Sequence, residues 1–226
     1  MSISRLGAAA GRGRALTGMA ALPPHAPGMR IGLLGGTFDP SHEGHRLASL
    51  TALRRLGLDR IWWLVTPGNP LKQTEGLSPL AVRLSAARLV AADPRILVSG
   101  FEAQIGARYT YQTIRYLRRR CPGVRFVWIM GADNLASFHR WRRWREIMDS
   151  IAIAVVDRPG ATLHAAHSPA GERLARFRLR EADGKLLCTI APPAYIFLHG
   201  PRSSLSSTEL RRLRPPPEEI SATGAR

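Results

Sequence analysis

Short apolar runs alternate with amphipathic stretches along most of this chain. Arg30 to Leu34, Ile61 to Val65, Ile96 to Val98, Arg125 to Met130 and Ile151 to Val156 read as buried strands: each is rich in aliphatic, β-branched or aromatic residues and too short for a buried helix. Tyr195 to Leu198 reads as a last short strand. From His42 to about Leu56 the spacing changes. Leu47, Leu50, Leu53 and Leu56 recur at helical intervals, which turns them inward, and Gly57 stops the helix. Ser78–Pro79 opens a second helix, with Ser78 as cap and Pro79 at the first position. Its apolar positions are Leu80, Leu84, Ala87 and Leu89, and it fades near Asp93–Pro94. Phe101 to Tyr109 reads as a loop. Thr110 caps a third helix, which ends in Arg118-Arg119-Arg120 and is broken by Cys121-Pro122-Gly123. Residues 161 to 191 read as a variable surface region with one short helix. Strand–helix alternation from Met29 to Val156 predicts an α/β fold, a Rossmann-like doubly wound parallel sheet with right-handed crossovers.

Chain length and composition narrow this picture. The 226 residues suffice for one α/β domain with a full core plus tails. Residues 1 to 28 are rich in Ala, Gly, Arg and Pro without an acidic residue, so they are expected to be disordered, with the domain spanning 29 to 214. Met29 stands directly before the first strand and could be the true start. Residues 215 to 226 read as a tail. No apolar run approaches the roughly 20 residues needed to span a membrane. Cys121 and Cys188 form neither a disulfide framework nor a metal spacing. Reduced thiols and a cytoplasmic location are the resulting expectation.

The net charge of +17 admits a polyanionic partner. Lys72 and Lys185 are the only lysines; the rest of the positive charge is arginine, a bias that fits a GC-rich coding sequence. Arg118 to Arg120 sit where basic residues complement a helix dipole, so they need no nucleic acid to explain them. The stretch Phe138-His139-Arg140-Trp141-Arg142-Arg143-Trp144 could bind nucleic acid or form one aromatic helix face with arginines outside.

Candidate chemistry concentrates after the first strand. The segment reads Gly35-Gly36-Thr37-Phe38-Asp39-Pro40-Ser41-His42-Glu43-Gly44-His45. The two glycines let the backbone turn tightly and approach a ligand, and Ser41 can cap the helix. His42 and His45 are three apart, on one face of its first turn. Backbone N–H groups, the helix dipole and two imidazoles together suit an anion. Three other loops follow strand ends, where open α/β sheets bind ligands. One carries Lys72, a candidate point charge for phosphate. One carries Asp133, suited to ribose hydroxyls, a metal or a helix cap. One carries Arg158. Near the C-terminus Ser206, Ser207, Thr208 and Arg211 could cap a helix or hold an anion.

The opening motif is neither a Walker loop nor a Gly-x-Gly-x-x-Gly fingerprint. It resembles the signature of the nucleotidyltransferase superfamily with the (T/H)xGH motif. Four further segments narrow the likeness to bacterial nicotinate-nucleotide adenylyltransferase, from Met29 to about Leu213: Tyr109-Thr110, Gly131-Ala132-Asp133-Asn134 through Phe138 and Trp141, Val156-Asp157-Arg158-Pro159-Gly160, and Leu205 to Arg211. Where that family often has Pro-Pro-His-Lys, this chain has Asn69-Pro70-Leu71-Lys72.

The resemblance implies adenylyl transfer from ATP to nicotinate mononucleotide, giving deamido-NAD and pyrophosphate. It implies catalytic roles for His42, His45, Lys72 and Arg211. ATP would be held by Gly35, Gly36, Thr37, Phe38, His42, His45, Asp133, Ser206, Ser207, Thr208 and Arg211. The mononucleotide would meet Thr37, Lys72, Thr110, Trp141 and Arg158, with Trp141 stacking on the pyridine ring and Thr110 N–H facing its carboxylate. Mg²⁺ would enter through the substrate phosphates, with no protein side chain as ligand. Alternatives are preference for nicotinamide mononucleotide, another acceptor such as phosphopantetheine, or a basic nucleic-acid-binding protein. The partners implied are small molecules, with no membrane; the oligomeric state stays open, a homo-oligomer included. The adenylyltransferase reading requires the His42/His45 loop and the 206 to 211 segment to meet at one pocket.

Overall fold

The computed structural model describes residues 22–68, 76–157 and 162–200. Within them the chain runs β1 (Arg30–Gly36), α1 (Glu43–Leu56), β2 (Arg60–Val65), α2 (Leu80–Ala91) and β3 (Ile96–Ser99). It continues through α3 (Phe101–Gln104), α4 (Thr110–Arg120), β4 (Arg125–Gly131), α5 (Ala132–Ser137), a 3₁₀ turn (Phe138–Arg140), α6 (Trp144–Ser150) and β5 (Ala152–Val156). It closes with α7 (Thr162–Ala166), α8 (Pro169–Ala175), β6 (Arg178–Leu179), a second 3₁₀ turn (Glu181–Leu186) and β7 (Tyr195–Leu198).

The strands form a seven-stranded sheet in the order β3-β2-β1-β4-β5-β7-β6, and each pairing is parallel. The reason lies in the strand sequences. Apolar residues point to both faces, so one set cannot be left to water. Ile31, Leu33, Trp62, Leu64, Trp128, Met130, Ile153 and Val155 build the core on one face. Leu34, Ile61, Trp63, Val65, Val127, Ile129, Ala154 and Val156 build the other. The period of two along each strand divides the cores. Helices α4, α5 and α6 cover the first face, through residues such as Leu117, Leu135 and Ile147. Helices α1 and α2 cover the second, through Leu53, Leu56, Leu84 and Ala87.

The chain order reverses between β1 and β4. That switch point opens a crevice outside the carboxyl ends of the two central strands, the usual ligand position in such sheets. The loop after Gly36 and the helix start directly after Gly131 form its two sides.

The pattern of elements matches the sequence reading, with local differences. Residues 101–104 are helical, and two helices, a short strand and a 3₁₀ turn occupy 162–186; brief elements of two to seven residues carry too few apolar repeats to stand out. Leu53 and Leu56 are buried, but Leu47 and Leu50 are only half-buried, because the inner stripe of α1 is Ser49, Ala52, Leu53 and Leu56. Leu89 is 83% exposed, because α2 turns Arg83, Leu84, Ala87 and Ala91 inward. Pro79, not Ser78, is the residue preceding α2. Residues 22–28 pack on the domain: His25 lies edge-on to Trp62 at 5.7 Å, and Gly28 N–H donates to the Gly123 carbonyl at 2.8 Å. Packing contacts therefore begin before Met29. Among the described residues no helix is long and apolar enough to cross a membrane.

Candidate active site

β1 carries the motif further than its apolar run suggests. Gly35 and Gly36 remain in the strand, paired with Leu64 and Val65. They do not make the tight turn expected of them. Gly35 instead makes room: a Cβ there would stand 2.8 Å from the ring of Trp128. The turn falls two residues later, at Phe38, whose φ is 49°. A left-handed non-glycine residue costs about 1–2 kcal/mol. The Phe38 ring is fully buried, which is worth about 1.5–3 kcal/mol and offsets that cost. It stacks on Trp63 at 5.0 Å and meets His45 at 4.7 Å.

His42 is the residue that precedes α1, where Ser41 was expected. Its backbone N–H donates to His45 Nδ1 at 3.3 Å, the reciprocal half of a capping arrangement. With a donor on Nδ1, a neutral His45 ring carries its proton on Nε2. The two imidazoles lie 3.9 Å apart. Behind them a chain of hydrogen bonds fixes the first turn: Trp63 Nε1 donates to Ser49 Oγ at 2.8 Å, and Ser49 Oγ donates to the His45 carbonyl at 2.9 Å. The result is a helix N-terminus with two neighbouring imidazoles, tilted by 38°, at the carboxyl edge of β1, a setting suited to phosphate.

The loop is held by a residue that sequence reasoning passed over. Arg83 on α2 is only 3% exposed. Its guanidinium donates to the carbonyls of Thr37 at 2.8 Å, Thr66 at 2.7 Å, Pro67 at 3.3 Å and, through Nε, Ser78 at 2.8 Å. Burial lowers its pKa, and the nearby Asp39 charge opposes the shift. Asp39 in turn accepts from Ser78 N–H at 2.9 Å and Ser78 Oγ at 3.0 Å. Ser78 therefore ties down the motif loop. The Asp39–Pro40 peptide is cis.

The opposite side of the crevice begins with β4. Gly131 precedes α5, and Asp133 sits exposed in that helix's first turn. Asp133 is not the cap. Trp141 is half-buried and meets Phe138 edge-on at 5.3 Å and Trp128 at 6.2 Å. Trp128 thus touches both sides: its ring fills the space over Gly35 and braces Trp141. Trp141 and Trp144 do not share one helix face, because the chain leaves the 3₁₀ turn at Trp141 and takes a left-handed residue at Arg143 before α6. Both rings still pack on Phe138.

Thr110 lies at the start of α4, preceded by Tyr109 and not itself the cap. Gln112 Oε1 accepts from the N–H groups of Arg108 at 2.9 Å and Tyr109 at 3.0 Å. Arg142 lies over the Tyr109 ring and Arg143 over the Tyr111 ring, each at 4.9 Å. These contacts bring the Thr110 segment against the loop carrying Trp141. They also give two arginines of the Arg/Trp stretch a structural use. Lys72, Arg158, Ser206, Ser207, Thr208 and Arg211 lie outside the described residues, and so does the expected meeting of His45 with Ser207.

Comparison with known proteins then decides the family. A cytidylyltransferase-like family model matches residues 33–213. A Bradyrhizobium sp. (strain ORS 278) protein named "Probable nicotinate-nucleotide adenylyltransferase" is 60% identical over 183 residues, covering 81% of this chain and 95% of that protein. A namesake from Methylorubrum extorquens is 59% identical, covering 81% and 99%. One from Brucella abortus (strain 2308) is 52% identical, covering 82% and 96%.

The chain belongs to the nicotinate-nucleotide adenylyltransferase family.

This membership makes it a nucleotidyltransferase and an enzyme. The solved nicotinic acid mononucleotide adenylyltransferase of Plasmodium falciparum, complexed with NaAD, shares the fold: TM-score 0.58, 18% identity, 81% of this chain and 83% of that one. In this nicotinate-nucleotide adenylyltransferase the described candidate residues stand on the two sides of one switch point. Gly36 to His45 lie on the β1 side, and Asp133 and Trp141 on the β4 side, with the Thr110 segment against the Trp141 loop. Arg83 and Trp128 are the supports that sequence reading missed. For Arg83 a signal existed, because it falls in the stripe of Leu84, Ala87 and Ala91. Trp128 gave none beyond being a strand residue.

Proposed function

We propose that this chain transfers the adenylyl group of ATP to nicotinate mononucleotide, producing deamido-NAD and pyrophosphate in NAD biosynthesis. The paired imidazoles of His42 and His45 at the head of α1, on a loop clamped by Arg83, are the observation that carries the reading.

The chemistry asks little covalent work of the protein. A 5′-phosphate oxygen of the mononucleotide attacks the α-phosphorus of ATP. The bond from that phosphorus to the β-bridging oxygen breaks, and pyrophosphate leaves with the electron pair. The nucleophile is already an anion near neutral pH, so no general base is needed. The protein must align two anions and neutralise the charge that develops. His45 Nε2–H is the donor assigned to the α-phosphate, and His42 the second donor. Backbone N–H groups of Thr37 and Phe38 and the α1 dipole add to the same field. Gly35 makes room for the Trp128 ring that braces Trp141. Asp133 takes ribose hydroxyls. Trp141 stacks on the pyridine ring, and Thr110 N–H at the head of α4 meets its carboxylate. Lys72, Arg158, Ser206, Ser207, Thr208 and Arg211 are assigned to phosphate charge by the family likeness alone.

Mg²⁺ belongs to this reading as part of the MgATP substrate, where it neutralises the departing pyrophosphate. Imidazoles, hydroxyls and backbone N–H groups around the β1 loop are donors suited to phosphate oxygens, so the ion would be carried by those oxygens and water. Work in the cytoplasm fits two buried thiols, Cys121 and Cys188. Mass-spectrometric analysis of products tests the proposal: the purified chain with MgATP should form deamido-NAD from the acid, and little product from nicotinamide mononucleotide or 4′-phosphopantetheine. Adenylylated phosphopantetheine as the main product would overturn it.

A further inference from the structure

Glu102 is a buried carboxyl that adenylyl transfer does not use. It lies in α3, just past the carboxyl end of β3. Its Oε1 accepts a hydrogen bond from Thr113 Oγ1, on the fully buried Thr113 of α4. Its backbone carbonyl accepts from Ala107 N–H at 3.0 Å, closing the connection that leads into α4. Beside it the Phe101 ring stacks on Tyr116 at 6.0 Å. The short α3 therefore grips α4 at two successive turns, once by a polar contact and once by an apolar one. Thr113 stands one turn after Thr110, roughly 5 Å along the helix axis. A glutamine would accept the same bond without the penalty of desolvating an ionisable group. A carboxyl at this position therefore calls for a reason beyond packing.

We propose that Glu102 is a positioning and specificity residue, which acts through Thr113 on the head of α4 and sets the preference for an acceptor carrying a carboxylate over one carrying a carboxamide. The inference rests on reading Thr110 as the group that meets the acceptor's ring substituent.

Burial pushes the Glu102 carboxyl up to about 7, with the Thr113 bond opposing the shift. The ionisable groups on the adjoining elements are Arg60 on β2, Arg108 and Tyr109 in the connection, and Tyr111, Arg115, Tyr116 and Arg118 to Arg120 on α4; β3 has none. No charge among them is a cause of the shift. Below pH 7 the carboxyl is neutral, and the head of α4 offers its N–H groups and dipole to an anion undiminished. Above pH 7 a buried negative charge lies behind the same helix head. It opposes a carboxylate on the acceptor and leaves a neutral carboxamide nearly untouched. Like charges roughly 10 Å apart at an effective dielectric near 20 change that preference on the order of tenfold. By linkage, bound acid holds Glu102 protonated to higher pH.

The test measures kcat/KM for nicotinate and nicotinamide mononucleotides from pH 6 to 8.5 with saturating MgATP. It compares the native chain with Glu102→Gln and Thr113→Val. The ratio of acid to amide cancels ionisations of the 5′-phosphate and of ATP. In the native chain this ratio should fall about tenfold as pH rises through the Glu102 titration. Glu102→Gln should hold the low-pH ratio throughout. Thr113→Val, which removes the bond opposing the shift, should move the fall to higher pH. A flat ratio in the native chain, an unchanged slope in Glu102→Gln, or an unmoved midpoint in Thr113→Val overturns the proposal and leaves adenylyl transfer standing. No turnover of either mononucleotide by the native chain overturns the functional reading, and the proposal with it.

Discussion

Replacing Arg83 by methionine should cost this protein both stability and catalysis. The side chain is buried and hydrogen-bonded to four backbone carbonyls, those of Thr37, Thr66, Pro67 and Ser78. Three separate segments meet on it: the motif loop, the end of β2 and the approach to α2. Methionine fills a similar volume but donates nothing, so those carbonyls lose a charged donor and Asp39 loses the opposing charge. Removing one partner from a buried charged network costs about 3–5 kcal/mol. At about 2–4 °C per kcal/mol for a domain of this size, Tm should fall by roughly 6–20 °C. Arg83→Lys should fall between, because one ammonium cannot span four acceptors. Arg88→Met, on the exposed side of the same helix, is the control and should melt within about 2 °C of the native chain. Thermal unfolding followed by circular dichroism gives the stability. Turnover of MgATP well below the melting range should show a lowered kcat, since Thr37 and Phe38 lose their brace. An Arg83→Met chain that melts with the native protein and keeps its kcat would refute the clamp.

Three further outcomes follow from the site and its surroundings. His45→Ala should lower kcat by about 10²–10³-fold, the loss typical of one transition-state donor, in steady-state assays; an unchanged kcat would remove it from the phosphate. Trp141→Ala should raise KM for the mononucleotide with little change in KM for ATP, and the reverse pattern would break the stacking assignment. Cys188 is buried and its thiol is pushed up to about 11 by burial, so a thiol-specific chromophore at pH 8 should label it only after unfolding; rapid labelling of the native chain would contradict the packing.

The sheet was legible because its strands are apolar on both faces. Runs such as Ile61 to Val65 can form only in a covered parallel sheet, and their alternation with helical spacing left few topologies. The motif loop was legible as chemistry because His42 and His45 share one helix turn. Local details were less so. Ser41 and Ser78 look like caps by residue type, yet His42 and Pro79 take those places, because Ser78 is drawn to Asp39 across 39 residues of chain. Gly35 reads as a turn residue, yet it serves a tryptophan ring on the neighbouring strand. Arg83 and Glu102 owe their roles to contacts 5 to 46 residues away for the arginine, 11 for the glutamate. Such contacts leave no periodic trace in sequence; only an ionisable residue falling in an apolar stripe hints at them.

The most direct measurement of the central claim is pyrophosphate release by the purified chain with MgATP, run in parallel with nicotinate mononucleotide and nicotinamide mononucleotide near pH 7. Rapid release with the acid and little with the amide is the result expected of a helix head built to receive a carboxylate. Equal release with both would contradict the specificity assigned to Thr110, and no release with either would contradict the function itself.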